Sequence, residues 1–307
     1  RALIAMLHLC SRLNHTRVND YGRSERIRRF MKTDELAKRI LLPREAYTAA
    51  VKVEISREEY VRERELFYQD IKSFLERWKG KEKRYTWALA FYLRLSAETY
   101  DKYQEEGIPD QVFDQTFYDL TIWCRECYRK YGVYGLEELW WLGQSVKMKL
   151  FRLGRLQFEP IRVIEPLEGN GIRIKAGTKG LNVHIPEDGP LKYEACIESF
   201  RQAELFFADR EDDRPEFYMC DSWLLSPDLE ELLPKTSNII RFQKLFRIVK
   251  VHYTFPQAEQ RIFGEVLEDK SGYPENTSLQ KKAKAYILEG KDPGIGVGVI
   301  DDVYRYM

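Results

Sequence analysis

The feature that most constrains this chain is a change of period near Leu150. Before it, apolar residues recur every three or four positions; after it, they alternate at every second position between glycines. One spacing belongs to helices with a buried face and the other to strands, so the chain must build a helical layer first and a sheet second.

Upstream, Tyr60, Phe67, Ile71, Phe74, Leu75 and Trp78 predict a single helix running from Arg57 to Gly80, solvated on its charged face. The run Trp87-Ala-Leu-Ala-Phe-Tyr-Leu is apolar nearly all round. It predicts a helix from Arg84 to Tyr103 at the centre of its bundle. Asp110 opens a third helix with Phe113, Phe117, Leu120, Cys124 and Cys127 on one face, and Leu139, Trp140, Gly143, Val146 and Leu150 mark a fourth. Together they read as an antiparallel bundle. Nearer the start, Met31 reads as the opening of the ordered part, with Thr33 or Asp34 capping a short helix.

Downstream, Leu156 to Ile164, Ile172 to Lys175 and Leu181 to Ile185 read as strands joined by glycine turns. A helix from Leu191 to Phe207, a strand from Phe217 to Leu225, a helix from Pro227 to Leu233 and a strand from Phe246 to Tyr253 follow. Ser237-Asn238 reads as the turn before that strand. Helices near 257–268 and 277–289 lead to a last strand at Ile295 to Ile300. The expected class is α+β: a helical N-terminal bundle followed by a mixed sheet flanked by helices. The expected division is a basic leader at 1–30, a helical domain at 31–154 and an α/β domain at 155–307.

Charge narrows the partners. Lysine and arginine number 50 against 49 acids, so no overall charge favours nucleic acid or a membrane surface. Residues 1–30 alone carry an excess of +5, from seven arginines against Asp20 and Glu25. The stretch Ala2 to Cys10 is interrupted by His8, followed by arginines and lacks a small-residue cleavage site, so export is not expected. The longest apolar run is far short of the roughly 18–20 residues that cross a bilayer, and the expectation is a cytoplasmic protein. Five cysteines at scattered positions do not form a disulfide framework. His8, His15, His184 and His252 show no metal-ligand spacing. Cys124-Arg-Glu-Cys127 falls on an apolar stripe, and Gly294-Ile-Gly-Val-Gly-Val leads out of a helix into a strand, the reverse of a dinucleotide loop.

Several segments are distinctive: Phe151-Arg-Leu-Gly-Arg-Leu-Gln-Phe-Glu-Pro, Val183-His-Ile-Pro-Glu-Asp-Gly-Pro-Leu, Ser222-Trp-Leu-Leu-Ser-Pro, Ser237-Asn-Ile-Ile-Arg-Phe and Asn276-Thr-Ser-Leu-Gln. With the closing Gly-Val-Gly-Val-Ile, they resemble a bacterial family of acyltransferase domain-containing proteins. That family pairs a helical N-acyltransferase-type domain with a GNAT-like C-terminal domain. The likeness spans roughly residues 31–307.

The resemblance implies acyl-CoA or acetyl-CoA as co-substrate, no metal, and a small-molecule or peptide amine as acceptor. It also implies that the strand carrying Val183 and Ile185 offers backbone N–H groups to the acyl carbonyl. The following loop, with Gly189, Leu191 and Lys192, would cradle the pyrophosphate at a helix start. That loop departs from the superfamily's usual glycine pattern and carries Glu187 and Asp188 where phosphate wants donors. His184 has the side chain suited to take a proton from an attacking amine near neutrality, and equally suits a satisfied inward polar position. Where GNAT enzymes often place a tyrosine acid, this chain has Ser226-Pro-Asp-Leu-Glu-Glu; Tyr218 and Ser222 are the substitutes. Two other readings stand beside the enzyme. One is a GNAT-like binding or regulatory module that has lost transfer chemistry. The other makes the helical half a docking platform for a protein partner through Tyr100, Tyr103 or Trp141.

Overall fold

The computed structural model describes residues 31–302, so the basic leader, with His8, His15 and Cys10, lies outside the described residues. The helical half holds α1 (Thr33–Arg39), α2 (Arg44–Val51), α3 (Arg57–Gln69), α4 (Ile71–Lys79), α5 (Arg84–Glu105), α6 (Asp110–Phe117), α7 (Asp119–Tyr131) and α8 (Leu139–Val146). As its all-round apolar pattern requires, α5 is the hub, packing against α1, α2, α4, α6, α7 and α8.

Two helices expected as single pieces are divided. Asp70 leaves helical geometry at φ −144°, and its carboxylate accepts from the Ser73 N–H at 3.1 Å and the Ser73 hydroxyl at 2.6 Å. That side chain is the N-cap of α4, and the chain turns there although the apolar spacing runs straight through. The predicted third helix likewise breaks at Tyr118 into α6 and α7. At the start, Lys32 rather than Thr33 or Asp34 is the N-cap of α1, and it makes no side-chain capping bond.

The second half runs β1 (Phe151–Leu153), β2 (Leu156–Arg162), β3 (Leu167–Gly169), β4 (Ile172–Ile174), β5 (Lys179–His184), α9 (Tyr193–Phe207), β6 (Phe217–Ser222), a 3-10 turn at Trp223–Leu225, α10 (Leu229–Leu232), α11 (Asn238–Gln243), β7 (Arg247–His252), α12 (Gln257–Phe263), α13 (Ser278–Leu288) and β8 (Ile295–Ile300). Ser237 does not lead into a strand. Its hydroxyl accepts from the Ile240 N–H at 3.2 Å and caps α11.

Six strands form one sheet in the order β1-β2-β5-β6-β8-β7, and β3 and β4 form a separate hairpin. Within the large sheet only β5 and β6 are parallel. One face packs on α9 and is continuous with the helical half: Phe151, Phe158, Phe200 and Tyr218 join a core that also contains Phe67, Phe91, Tyr103 and Phe113. The β3–β4 hairpin covers part of the other face through Ile172 and Ile174, which pack with Phe217 and Val299.

The aromatics considered for docking do not form an exposed face. Tyr100 and Tyr103 are buried against Phe113, and Trp141 packs on the sheet half. No described helix is long and apolar enough to cross a membrane.

Candidate active site

The sheet opens between β5 and β6. Their parallel ladder covers only Gly180, Leu181 and Asn182, ending where Asn182 faces Met219. Each strand nevertheless continues with its other neighbour: β5 stays on β2 as far as His184 opposite Gln157, and β6 stays on β8 as far as Ser222 opposite Gly296. Beyond Asn182 and Met219 the two inner edges therefore carry backbone groups without a partner strand, which is a place for a ligand's polar chain.

His184 stands on one lip of that opening. Register places Glu159 opposite Asn182 and Gln157 opposite His184, so these side chains share one face, with Glu159 diagonal to the imidazole. Glu159 Oε2 accepts from His184 Nε2 at 3.0 Å and from Asn182 Nδ2 at 3.3 Å. A carboxylate can only accept, so in the neutral imidazole Nε2 carries the proton and Nδ1 keeps the lone pair. Nδ1 has no hydrogen-bond partner among the described residues. Burial would raise the Glu159 carboxyl, but the hydrogen bond and charge of His184, with Asn182 and Lys149, outweigh it and hold the group below its ordinary range.

The helical half supplies the wall. From α8, the Trp141 ring meets His184 edge to face at 4.8 Å and 70°, and its Nε1–H donates to Asp119 Oδ2 at 2.9 Å. Asp119 is buried, and burial pushes its carboxyl above the usual range despite hydrogen bonding from Gln157 and Trp141.

The other lip carries Asp221. Like His184, it lies two residues past the last paired position, and alternation from Asn182 and Met219 puts both on the same face. Its Oδ1 meets His252 Nε2 at 2.9 Å, and His252 Nδ1 meets the Thr254 hydroxyl at 2.9 Å.

The loop after β5 is anchored from beneath. Arg152 pairs with Asp188 at 2.7 Å, and Arg155 donates to the carbonyls of Gly189 at 2.6 Å and Pro190 at 3.1 Å. Glu187 pairs with Arg261 of α12 at 3.0 Å. Both loop acids are thus neutralised by arginines. Lys192 is the N-cap of the 15-residue α9, where the N–H groups of Tyr193 and Ala195 have no acceptor among the described residues. Leu191 is buried, and a Cβ at Gly189 would meet open space.

The remaining residues singled out in the sequence are dispersed. Val183 is buried on the α9 face beside Phe158, while Ile185 follows β5, partly buried. Tyr218 is on that same α9 face, with its hydroxyl donating to Glu204 at 2.5 Å. Ser222 accepts from the Leu224 N–H at 3.2 Å, capping the 3-10 turn. The structure brings His184 together with Glu159 and Trp141, and places Tyr218 and Ser222 on the opposite face.

Two family models match this chain. The N-acyltransferase N-terminal domain covers residues 31–148, and the GNAT-like C-terminal domain covers residues 150–300. The chain belongs to the family that joins these two domains. Solved acyltransferases share the fold across both. An acyltransferase in complex with decanoyl-CoA and teicoplanin has a TM-score of 0.69 and 22% identity, over 97% of this chain and 94% of that one. Another in complex with decanoyl-CoA has a TM-score of 0.70 and 21% identity, over 88% and 87%. A third holds CoA and 10C-teicoplanin, at a TM-score of 0.69 and 22% identity over 97% and 94%. A search of curated proteins by sequence returns no match.

Within the GNAT-like domain, the sequence pointed to His184 as a candidate but not to Glu159 or His252, which meet their partners across strands. From the N-acyltransferase domain it missed the role of Trp141. A cavity of about 950 Å³ lies elsewhere, in the helical domain, among Arg44, Lys52, Lys81 and Trp87. No described cluster of histidine, cysteine and acidic side chains could hold a metal ion.

Proposed function

We propose that this protein moves an acyl group from a coenzyme A thioester to an amine, with His184 as the base. The observation that carries the reading is the parting of β5 and β6 beside an imidazole whose Nδ1 is left as a free lone pair by Glu159.

In this reading the thioester arm lies along the unpaired inner edge of β5, at Val183 and Ile185, whose backbone N–H groups polarise the acyl oxygen. The amine nitrogen attacks the thioester carbon and a C–N bond forms. His184 Nδ1 takes the proton that the amine must lose, and the C–S bond breaks with its electron pair on sulfur. The thiolate takes its proton back from His184 Nδ1; Tyr218, buried with its hydroxyl on Glu204, and Ser222, which caps the 3-10 turn, both lie on the other face of β6 and are not assigned that step. Lys192, the loop at Gly189 and Leu191, and the free N–H groups at the start of α9 would hold the pyrophosphate. Neutralisation of Asp188 and Glu187 by Arg152 and Arg261 removes the charge that would repel it. Decanoyl-CoA in the structures of like fold points to a medium-length acyl chain, and teicoplanin to a bulky small-molecule acceptor.

Calorimetric titration with CoA, acetyl-CoA and decanoyl-CoA tests the reading. Saturable binding, weakened by Lys192→Glu, together with transfer lost by about 10²–10⁴-fold in His184→Ala, is expected. Absence of binding by all three at millimolar concentration sinks it.

A further inference from the structure

Two carboxylate–imidazole pairs face each other across the opening, and the mechanism above uses only one. His184 with Glu159 stands on β5; Asp221 with His252 stands on the β6 side. The two are not equivalent. His184 keeps one nitrogen free, whereas both nitrogens of His252 are engaged, Nε2 by Asp221 and Nδ1 by Thr254. In the neutral imidazole, Asp221, which can only accept, leaves Nε2 as the protonated nitrogen, and Nδ1 then accepts from the Thr254 hydroxyl. His252 is therefore committed to fixing Asp221 and not to exchanging protons with a substrate. Asp221 is open in the complementary way. Its side chain is 44% exposed, and Oδ2 has no hydrogen-bond partner among the described residues.

An alkyl amine has a pKa of about 10 and arrives as an ammonium ion. Neutral His184 offers nothing to balance that charge, and Glu159 is already spent on His184 and Asn182. Resting on the acyl-transfer reading, we propose that Asp221, positioned by His252, binds the ammonium group of the acceptor across the opening from His184 and so selects cationic amines. The ammonium donates one N–H to Asp221 Oδ2 and gives another proton to His184 Nδ1. The neutral nitrogen then forms the C–N bond, the proton it sheds passes to the departing sulfur so that the C–S bond breaks to give the thiol, and His184 returns its own proton to solvent. His252 is a positioning residue: its N–H holds the Asp221 carboxylate toward the opening.

The test uses the full chain with decanoyl-CoA and two probe nucleophiles, 1,5-diaminopentane, which is cationic near neutrality, and hydroxylamine, which is neutral. Thiol release reports transfer, and calorimetry reports decanoyl-CoA affinity. For Asp221→Asn, the KM for 1,5-diaminopentane should rise about 10–100-fold, the size of losing a hydrogen bond to a charged group. The change in kcat, in hydroxylamine transfer and in decanoyl-CoA affinity should be far smaller. His252→Ala should repeat the KM effect more weakly, and His252→Gln, which retains a donor, should restore part of it. An equal loss with both nucleophiles, or an unchanged KM, overturns the proposal. So does a wild-type protein that binds decanoyl-CoA but acylates hydroxylamine alone or neither probe. Failure of decanoyl-CoA to bind is a different result, and removes the acyl-transfer reading itself.

Discussion

Replacing Trp141 by phenylalanine separates two jobs of one side chain. Phenylalanine keeps an aromatic edge against His184 but has no N–H for Asp119, which is only 2% exposed. A hydrogen bond to a charged group contributes about 1.5–3 kcal/mol, and the buried carboxylate must go without it. The loss depends on pH with a definite sign. Burial raises the folded-state carboxyl of Asp119 and Trp141 pulls it back down. A raised carboxyl contributes stability that is complete below the unfolded value of about 3.9 and is lost as pH rises through the folded value. Removing the donor raises the folded value further, so the penalty grows with pH. At about 2 °C per kcal/mol for a chain of this size, Trp141→Phe should melt roughly 3–6 °C below wild type near pH 8, and by less near pH 4, close to the unfolded carboxyl's own value. Thermal unfolding followed by circular dichroism at both values is the assay. An equal drop at the two pH values would show that lost packing, not the Asp119 bond, carries the effect.

Other expectations concern the opening and the thiols. A methyl at Gly296 would overlap the Leu225 carbonyl, so Gly296→Ala should lower stability by about 1–3 kcal/mol in urea unfolding; it should also weaken acyl-CoA binding, because Gly296 pairs with Ser222 at the end of β6. Wild-type midpoint and binding in that variant would discard this account. Burial pushes the thiols of Cys124 and Cys196 up to about 12 and that of Cys127 up to about 11, and Cys220 is raised further. A thiol reagent near neutral pH should leave these four unmodified until the protein unfolds, and rapid labelling of any of them, mapped by mass spectrometry, would contradict the burial.

Local pattern carried most of the fold. The shift from three-and-four spacing to alternation places the start of the sheet at the right part of the chain, and the all-round apolar run Trp87 to Leu93 marks the hub helix. Where pattern misled, a polar side chain had the final say. Asp70 and Ser237 each satisfy backbone N–H groups at a helix start, so one divides an apolar stripe that looks continuous and the other turns an expected loop into a helix. Apolar spacing reports which face is buried; it does not report where the backbone stops.

The site was less legible because it is made by register. His184 could be chosen from its residue type and strand, but its partner lies 25 positions earlier, and Asp221 meets a histidine 31 positions later. Nothing in the order of residues sets which pairs fall opposite one another. By itself the sequence determined the two-part architecture, the helix faces and one candidate base, because these follow from periodicity and residue chemistry over a few turns. Only the tertiary structure decided that β5 and β6 part after three pairs, that Trp141 crosses from the helical half to His184, and that arginines neutralise the loop acids. Those features depend on strand register and domain packing, which bring together groups that no local spacing connects.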